Sequence, residues 1–270
     1  MAWKIEGLLE RLGIRKDNTV GLALSGGGAK GFSHIGVLMA FENFGIFPDV
    51  LSGVSAGSIA AALYGSGLTP QDMIDCFTEA SSFGDFTEWS LPKEGFMKLD
   101  RFGKLLQSWL PVSRLEEMKI PTVICATDID NAKSVGWGKG EIVPRVMASC
   151  SIPIIFNPVR INGVNYVDGG VLRNLPAWAI RDYCDNLYGS NCSPIRKQPS
   201  KSKTSIIDIA YRTFHLMMKS NTPQDIRLCD HVIEIQNMSN VRTFELSSLK
   251  KGVTAGYDAA CRVLEQIHNN

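Results

Sequence analysis

Residues 19–31 read Thr-Val-Gly-Leu-Ala-Leu-Ser-Gly-Gly-Gly-Ala-Lys-Gly, and they decide the architecture of this chain. An apolar, strand-like run ends in a glycine-rich turn, and the helix-like residues 32–44 follow directly. A second strand-like run, residues 50–54, leads through Gly-Val-Ser-Ala-Gly into the helix-like residues 58–64. Strands that alternate with helices predict an α/β fold: a mainly parallel central sheet covered on both faces, in three layers.

The rest of the chain continues this pattern. We predict a glycine-rich turn near 136–140, a hairpin at Asn162-Gly163 and an exposed polar loop at 193–203. Further strands are predicted at 122–127 and 231–235, and further helices at 144–149, 206–218 and 257–267. We expect a helical segment at 1–18, then one domain over 19–270 with a cap-like helical region at about 70–119. Aromatic residues at positions 83–109 belong either to a lipid-contacting lid or to the core of that cap.

Composition excludes several classes of protein. The chain has 270 residues, 44% of them hydrophobic, and a net charge of +1, which gives no reason to expect nucleic acid as a partner. Seven scattered cysteines without C-x-x-C spacing argue against a disulfide framework or a structural zinc site. With no signal-peptide pattern and no apolar run of roughly 20 residues, we expect a cytoplasmic protein that needs no metal or cofactor. Contact with a membrane surface and the oligomeric state stay open.

Ser55 is the candidate nucleophile. Gly53 and Gly57 flank it in a G-x-S-x-G pattern between a strand and a helix, which allows a tight turn with the serine at its tip. The structural alternative is that the glycines serve close packing and the serine only caps the helix.

A turn of successive glycines can gather N–H groups around one point, as an oxyanion requires. The predicted oxyanion donors are Gly26, Gly27 and Gly28, with Ala56 directly after the serine. Lys30 and Gly31 complete the motif; Lys30 either binds an anionic head group or pairs with a carboxylate, and we favour the second.

Asp168 is the candidate base, because it precedes Gly169 and Gly170 in a bend with little side-chain cover. The structural alternative is a hairpin turn that the Asp168 side chain closes as an Asx bend. No histidine after it lies in a Gly/Pro loop, where a triad histidine is expected, so a direct Ser–Asp dyad fits better than a triad. His34 is expected to pack and form hydrogen bonds. Asp128, at the end of a predicted strand, is the rival acid, although a loop-holding role suits it better.

Other functions fit less well. Residues 26–31 satisfy G-x-G-x-x-G, but the second strand ends at Ser55 and not at the acid that a dinucleotide site requires. The glycine spacing also fails for a phosphate-binding Walker loop. A non-catalytic lipid-binding or scaffold protein and a soluble carboxylesterase remain alternatives.

Three ordered motifs resemble the patatin-like phospholipase family: G-G-G-x-[RK]-G at 26–31, G-x-S-x-G at 53–57 and D-G-[GA] at 168–170. The block 148–153, followed by Phe156 and Pro158, is also similar. The resemblance is strong over residues 19–185 and closest to compact bacterial members. It implies a three-layer α/β/α fold and calcium-independent hydrolysis of lipid acyl esters, with phospholipids or related acyl lipids as substrates. It also implies that Ser55 is the nucleophile, Asp168 the base, and Gly27 and Gly28 part of the oxyanion hole.

Overall fold

The computed structural model describes residues 18–82, 96–193, 206–236 and 246–269. Within these ranges the backbone forms one eight-stranded sheet, in the order β5-β6-β3-β2-β1-β7-β8, with β4 pairing to β3. The strands are β1 (Val20–Leu24), β2 (Val50–Val54), β3 (Thr122–Asp128), β4 (Lys133–Trp137), β5 (Val159–Ile161), β6 (Val164–Asp168), β7 (Asn186–Asn191) and β8 (His231–Glu234).

Helices follow most of the parallel strands in the described ranges. They are α1 (Phe32–Asn43), α2 (Ala56–Gly65), α3 (Pro70–Ser82), α4 (Phe96–Trp109), α5 (Ile142–Ser149), α6 (Ile206–Ile226) and α7 (Leu249–His268). None of the helices in the described ranges combines the length and the apolar character needed to cross a bilayer.

The two faces of the sheet have different covers. On one face, Leu22, Leu24 and Leu51 pack into a large core formed with α1 to α5 and α7. On the other, Ala23, Val54 and their neighbours pack against short 3₁₀ turns within 169–183 and the end of α6. The predicted three-layer α/β/α fold is confirmed.

The partners of β3 change along its length, and this change creates the site. β2 pairs with β3 in parallel up to Val54 opposite Cys125, and β6 pairs with it antiparallel from Asp168 opposite Ala126. β4 occupies the other edge of β3 at both positions. β6 therefore takes over the edge that β2 leaves, and the last residue of β6 lies where β2 ends and Ser55 begins.

The structure agrees with most predicted elements and corrects several. The Asn162-Gly163 hairpin is confirmed, with positive φ at both residues. The expected glycine-rich turn at 136–140 was partly wrong, because residues 133–137 form β4. β7 was missed, and α6 and α7 extend further than expected. Residues 1–17 of the helical segment predicted at 1–18 lie outside the described residues, as does the part of the polar loop from 194 onward.

Candidate functional site

Ser55 lies in a strained turn between β2 and α2. Its φ of 52° and ψ of −125° are unusual for a residue with a side chain, and such conformations cost about 1–3 kcal/mol. The absence of a side chain at Gly57 lets the start of α2 approach β1 closely, because a Cβ at this position would collide with the carbonyl of Leu24. Ser55 caps no backbone N–H of α2 with its side chain, so the capping alternative is not what the structure shows.

A second serine holds the turn in place. The Ser55 N–H donates to Ser149 Oγ at 2.8 Å, and Ser149 Oγ–H donates to the Cys125 carbonyl at 2.6 Å. Ser149 ends α5 and Cys125 is in β3, so two elements outside the turn hold the backbone of Ser55. The strained conformation is thereby fixed by tertiary contacts.

The Asp168 carboxyl is buried beside this turn. Its Oδ1 accepts the Gly170 N–H at 2.8 Å, whereas its Oδ2 is buried without a hydrogen-bond partner. Burial raises the pKa of Asp168 from 3.8 to about 7, and the Ser55 hydroxyl and the Gly170 N–H offset part of that rise. The Ser55 hydroxyl is thus close enough to affect the carboxyl electrostatically, although the geometry of a full hydrogen bond to Oδ2 is not reached. A carboxyl in this state can accept a proton near neutral pH.

The glycine turn lies directly against Ser55. A Cβ on Gly26 would come within 3.1 Å of the Ser55 Cβ. Gly26 differs from the expected role, because its N–H donates to the Asn174 carbonyl at 3.2 Å and is therefore not free for an oxyanion. The N–H groups of Gly27, Gly28 and Ala56 have no acceptor among the described residues.

The remaining motif residues surround this arrangement. Gly31 lies so close to Ala56 that a Cβ on Gly31 would collide with the Ala56 side chain, and Gly169 packs against the Val54 side chain. Lys30 is half-buried, and burial lowers its pKa. No carboxylate in the described part of the chain pairs with it, so the structure does not support the ion pair we favoured for Lys30.

His34 and the rival acid Asp128 have structural roles. His34 is buried and its ring bonds Ser190 Oγ and the Ser25 carbonyl, as predicted. Among the described residues, no histidine hydrogen-bonds Ser55 or Asp168. Asp128 accepts hydrogen bonds from the backbone and side chain of Asn131 and holds the turn after β3.

The aromatic residues of the cap-like region are only partly described. Phe102 is buried and Trp109 packs edge-on against Phe77 at 5.1 Å, which favours the core interpretation for these two. Phe83, Phe86 and Trp89 lie outside the described residues, so the lid interpretation stays a prediction for them.

Sequence reasoning missed Asn174 and Asn221, which connect the two turns of the site. Neither residue stands in a recognisable motif. Their positions depend on the packing of α6 against the Asp168 turn, a contact between segments about 50 residues apart.

Family comparison agrees with the fold and the motifs. Residues 22–180 match the family described as "Patatin-like phospholipase", and the chain belongs to that family. It is 30% identical over 163 residues to an uncharacterized NTE family protein, Rv2565, of Mycobacterium tuberculosis, with 59% of this chain and 27% of that protein covered. It is 28% identical over 176 residues to the lysophospholipase NTE1 of Saccharomyces cerevisiae, with 62% of this chain and 10% of that protein covered.

The chain therefore spans about a quarter or less of these relatives. Among solved structures, VipD from Legionella pneumophila superposes with a TM-score of 0.49 at 15% identity, covering 93% of this chain and 67% of that one.

Proposed function

We propose that this chain is a lipid acyl hydrolase that cleaves carboxylic esters through a Ser55–Asp168 dyad. The observation that carries the proposal is the buried, unpartnered Oδ2 of Asp168 beside a serine held in a strained turn. The family membership and the lysophospholipase relative support the same class of reaction.

The proposed reaction has two halves. Ser55 Oγ attacks the ester carbonyl carbon while its proton passes to Asp168, and the same proton then goes to the leaving alcohol. In the second half, Asp168 takes a proton from water, and the water oxygen attacks the carbonyl carbon of the acyl–Ser55 ester. The bond between that carbon and Ser55 Oγ then breaks, Asp168 returns the proton to Ser55 Oγ, and the carboxylic acid leaves. In both tetrahedral states the oxyanion is bound by the N–H groups of Gly27, Gly28 and Ala56.

The surroundings of the site favour a lipid over a small soluble ester. Met218 of α6 packs beside the Asp168 turn, where a Cβ on Gly170 would meet it at 3.0 Å. The same helix exposes Ile209, Leu216 and Met217 to solvent. Exposed apolar side chains on the helix that borders a site are typical of surfaces that contact apolar ligands. Calcium independence is part of the proposal, since the dyad and the N–H groups supply each step.

The first test is covalent labelling. A long-chain alkyl fluorophosphonate should add once to the wild-type chain and not to Ser55→Ala, as measured by intact mass. Ser108→Ala, which removes an exposed hydroxyl on α4, is the matched control and should label like wild type. A wild-type chain without an adduct, or a Ser55→Ala chain with one, would contradict the proposed nucleophile.

The second test separates substrate classes and the role of Asp168. Hydrolysis of a lysophospholipid, below and above its critical micelle concentration, is compared with hydrolysis of a short-chain ester. All assays contain EDTA to remove calcium. We expect preference for the micellar lipid, and a kcat/KM that rises with pH through about 7 as Asp168 loses its proton. If the short-chain ester is hydrolysed as fast as the micellar lipid, the protein is a soluble carboxylesterase and not a lipid hydrolase. If activity requires added calcium, the proposed calcium independence is refuted.

A further inference from the structure

Asn174 forms hydrogen bonds with both backbone polar groups of Gly26, the N–H and the carbonyl. The Gly26 N–H donates to the Asn174 carbonyl at 3.2 Å, and Asn174 Nδ2 donates to the Gly26 carbonyl at 3.4 Å. Asn174 is 1% exposed, so water does not compete for these bonds. One buried residue therefore fixes the orientation of the peptide group with which the glycine turn begins.

This orientation determines where the next N–H points. In a planar trans peptide, the C=O of one residue and the N–H of the next point in opposite directions, and no peptide bond in the described chain is cis. Because the Gly26 carbonyl faces Asn174 and the Cys192 thiol, the Gly27 N–H faces away from them. Gly27 carries the first N–H of the turn that is left without an acceptor in the described residues.

Asn221 connects the same asparagine to the acid turn. Its Oδ1 accepts the Asn174 N–H at 3.0 Å, and its Nδ2 donates to the carbonyls of Gly170 at 2.9 Å and Val171 at 3.3 Å. Asn221 is on α6, so one helix side chain holds both the Asp168 turn and the residue that orients the glycine turn. The two halves of the site have fixed relative positions through these amides.

The Asn174 side chain also lies near the Asp168 carboxyl. Its Oδ1 is buried without a hydrogen-bond partner. This oxygen and Asp168 Oδ1 are each 3.1 Å from the point that a Cβ on Gly170 would occupy. An unpaired buried oxygen beside the base is not what stability alone favours, since buried polar atoms are normally paired.

We propose that Asn174 and Asn221 are positioning residues that aim the oxyanion donors at the ester carbonyl and fix them relative to Asp168. The proposal rests on the hydrolase function proposed above. Neither residue touches the reacting atoms in this scheme; both act through Gly26 and the Asp168 turn. Their loss should therefore lower kcat and leave KM nearly unchanged, because the misdirected N–H groups act in the tetrahedral state.

The test measures kcat, KM and the pH profile of purified full chains on a micellar lysophospholipid. Asn174→Ala and Asn221→Ala should each lower kcat, by roughly tenfold to a hundredfold for Asn174→Ala, with KM within about threefold. Asn174→Asp should in addition move the acidic limb of kcat/KM to higher pH, because a second carboxylate raises the pKa of Asp168. Asn43→Ala, which removes one exposed amide hydrogen bond to Tyr257, is the control and should retain wild-type kcat.

Urea midpoints establish that each variant is folded at the assay temperature. If Asn174→Ala does not fold, the half-buried Asn221 provides the second variant. A wild-type kcat in folded Asn221→Ala or folded Asn174→Ala overturns the proposal while the hydrolase function stands. A wild-type chain that neither labels nor hydrolyses lipid overturns both.

Discussion

Replacing Asp168 by Asn should abolish activity and at the same time stabilise the protein above neutral pH. The folded state raises the pKa of Asp168 from 3.8 to about 7, chiefly through burial. Between these values the folded chain binds more protons than the unfolded chain, so the contribution of Asp168 to stability is lost as pH rises through this window. A difference of three pKa units corresponds to about 4 kcal/mol, which is the upper limit for the effect.

The Asp168→Asn variant would avoid that loss, because the amide carries no charge and its oxygen can still accept the Gly170 N–H. The measurement is the free energy of unfolding in urea for both chains between pH 3 and pH 8. We expect the free energy of unfolding of the variant, relative to that of wild type, to increase by about 2–4 kcal/mol between the low and the high end of this pH range.

The control is Asp130→Asn, where the sign is opposite. Asp130 is exposed, and hydrogen bonds from the backbone and side chain of Asn165 lower its pKa. Its stabilising contribution is present at neutral pH and lost as pH falls, so this variant should be less stable than wild type at pH 7. An Asp168→Asn advantage that is constant with pH, or that shrinks as pH rises, would refute the assignment of a raised pKa to Asp168.

Further results should follow from contacts in the site and elsewhere in the fold. Ser149→Ala removes the acceptor of the Ser55 N–H, so kcat should fall in steady-state hydrolysis and unfolding should become easier by about 1–3 kcal/mol. Gly26→Ala places a Cβ 2.6 Å from Asn174 Oδ1 and should abolish fluorophosphonate labelling. Gly45→Ala, at φ +69° in open space, should cost only about 1 kcal/mol in urea and label normally. Asp225→Ala leaves the Arg173 guanidinium unpaired and should destabilise the chain by about 3–5 kcal/mol; an unchanged urea midpoint would contradict this.

Local sequence determined the elements whose conformation depends on a few adjacent residues. The glycine-rich turn follows β1 and the Ser55 turn follows β2 because the glycines in both turns allow close approach of the backbone. The Asn162-Gly163 hairpin forms because both residues tolerate positive φ. The runs 20–24, 50–54 and 122–127 form strands because a sheet covered on both faces buries nearly all residues of a central strand.

β7 is a strand that the local sequence does not predict. Asn186–Asn191 reads Asn-Leu-Tyr-Gly-Ser-Asn, a polar stretch with glycine in it, yet it lies between β1 and β8 in the sheet. The buried hydroxyl of Ser190 finds its partner far away in sequence, because Ser190 Oγ is hydrogen-bonded to the ring of His34. Such pairing cannot be deduced from the local pattern of apolar residues.

The sequence by itself determined that a serine, an acid and a glycine-rich turn are present, each at the end of a strand. Only the tertiary structure decided how they meet. β6 continues along the edge of β3 that β2 leaves, which brings Asp168 next to Ser55 across 113 residues of chain. The same packing directs the Gly26 N–H to Asn174 and leaves the Gly27 N–H without an acceptor among the described residues, because the direction of a peptide group depends on its partner across the fold.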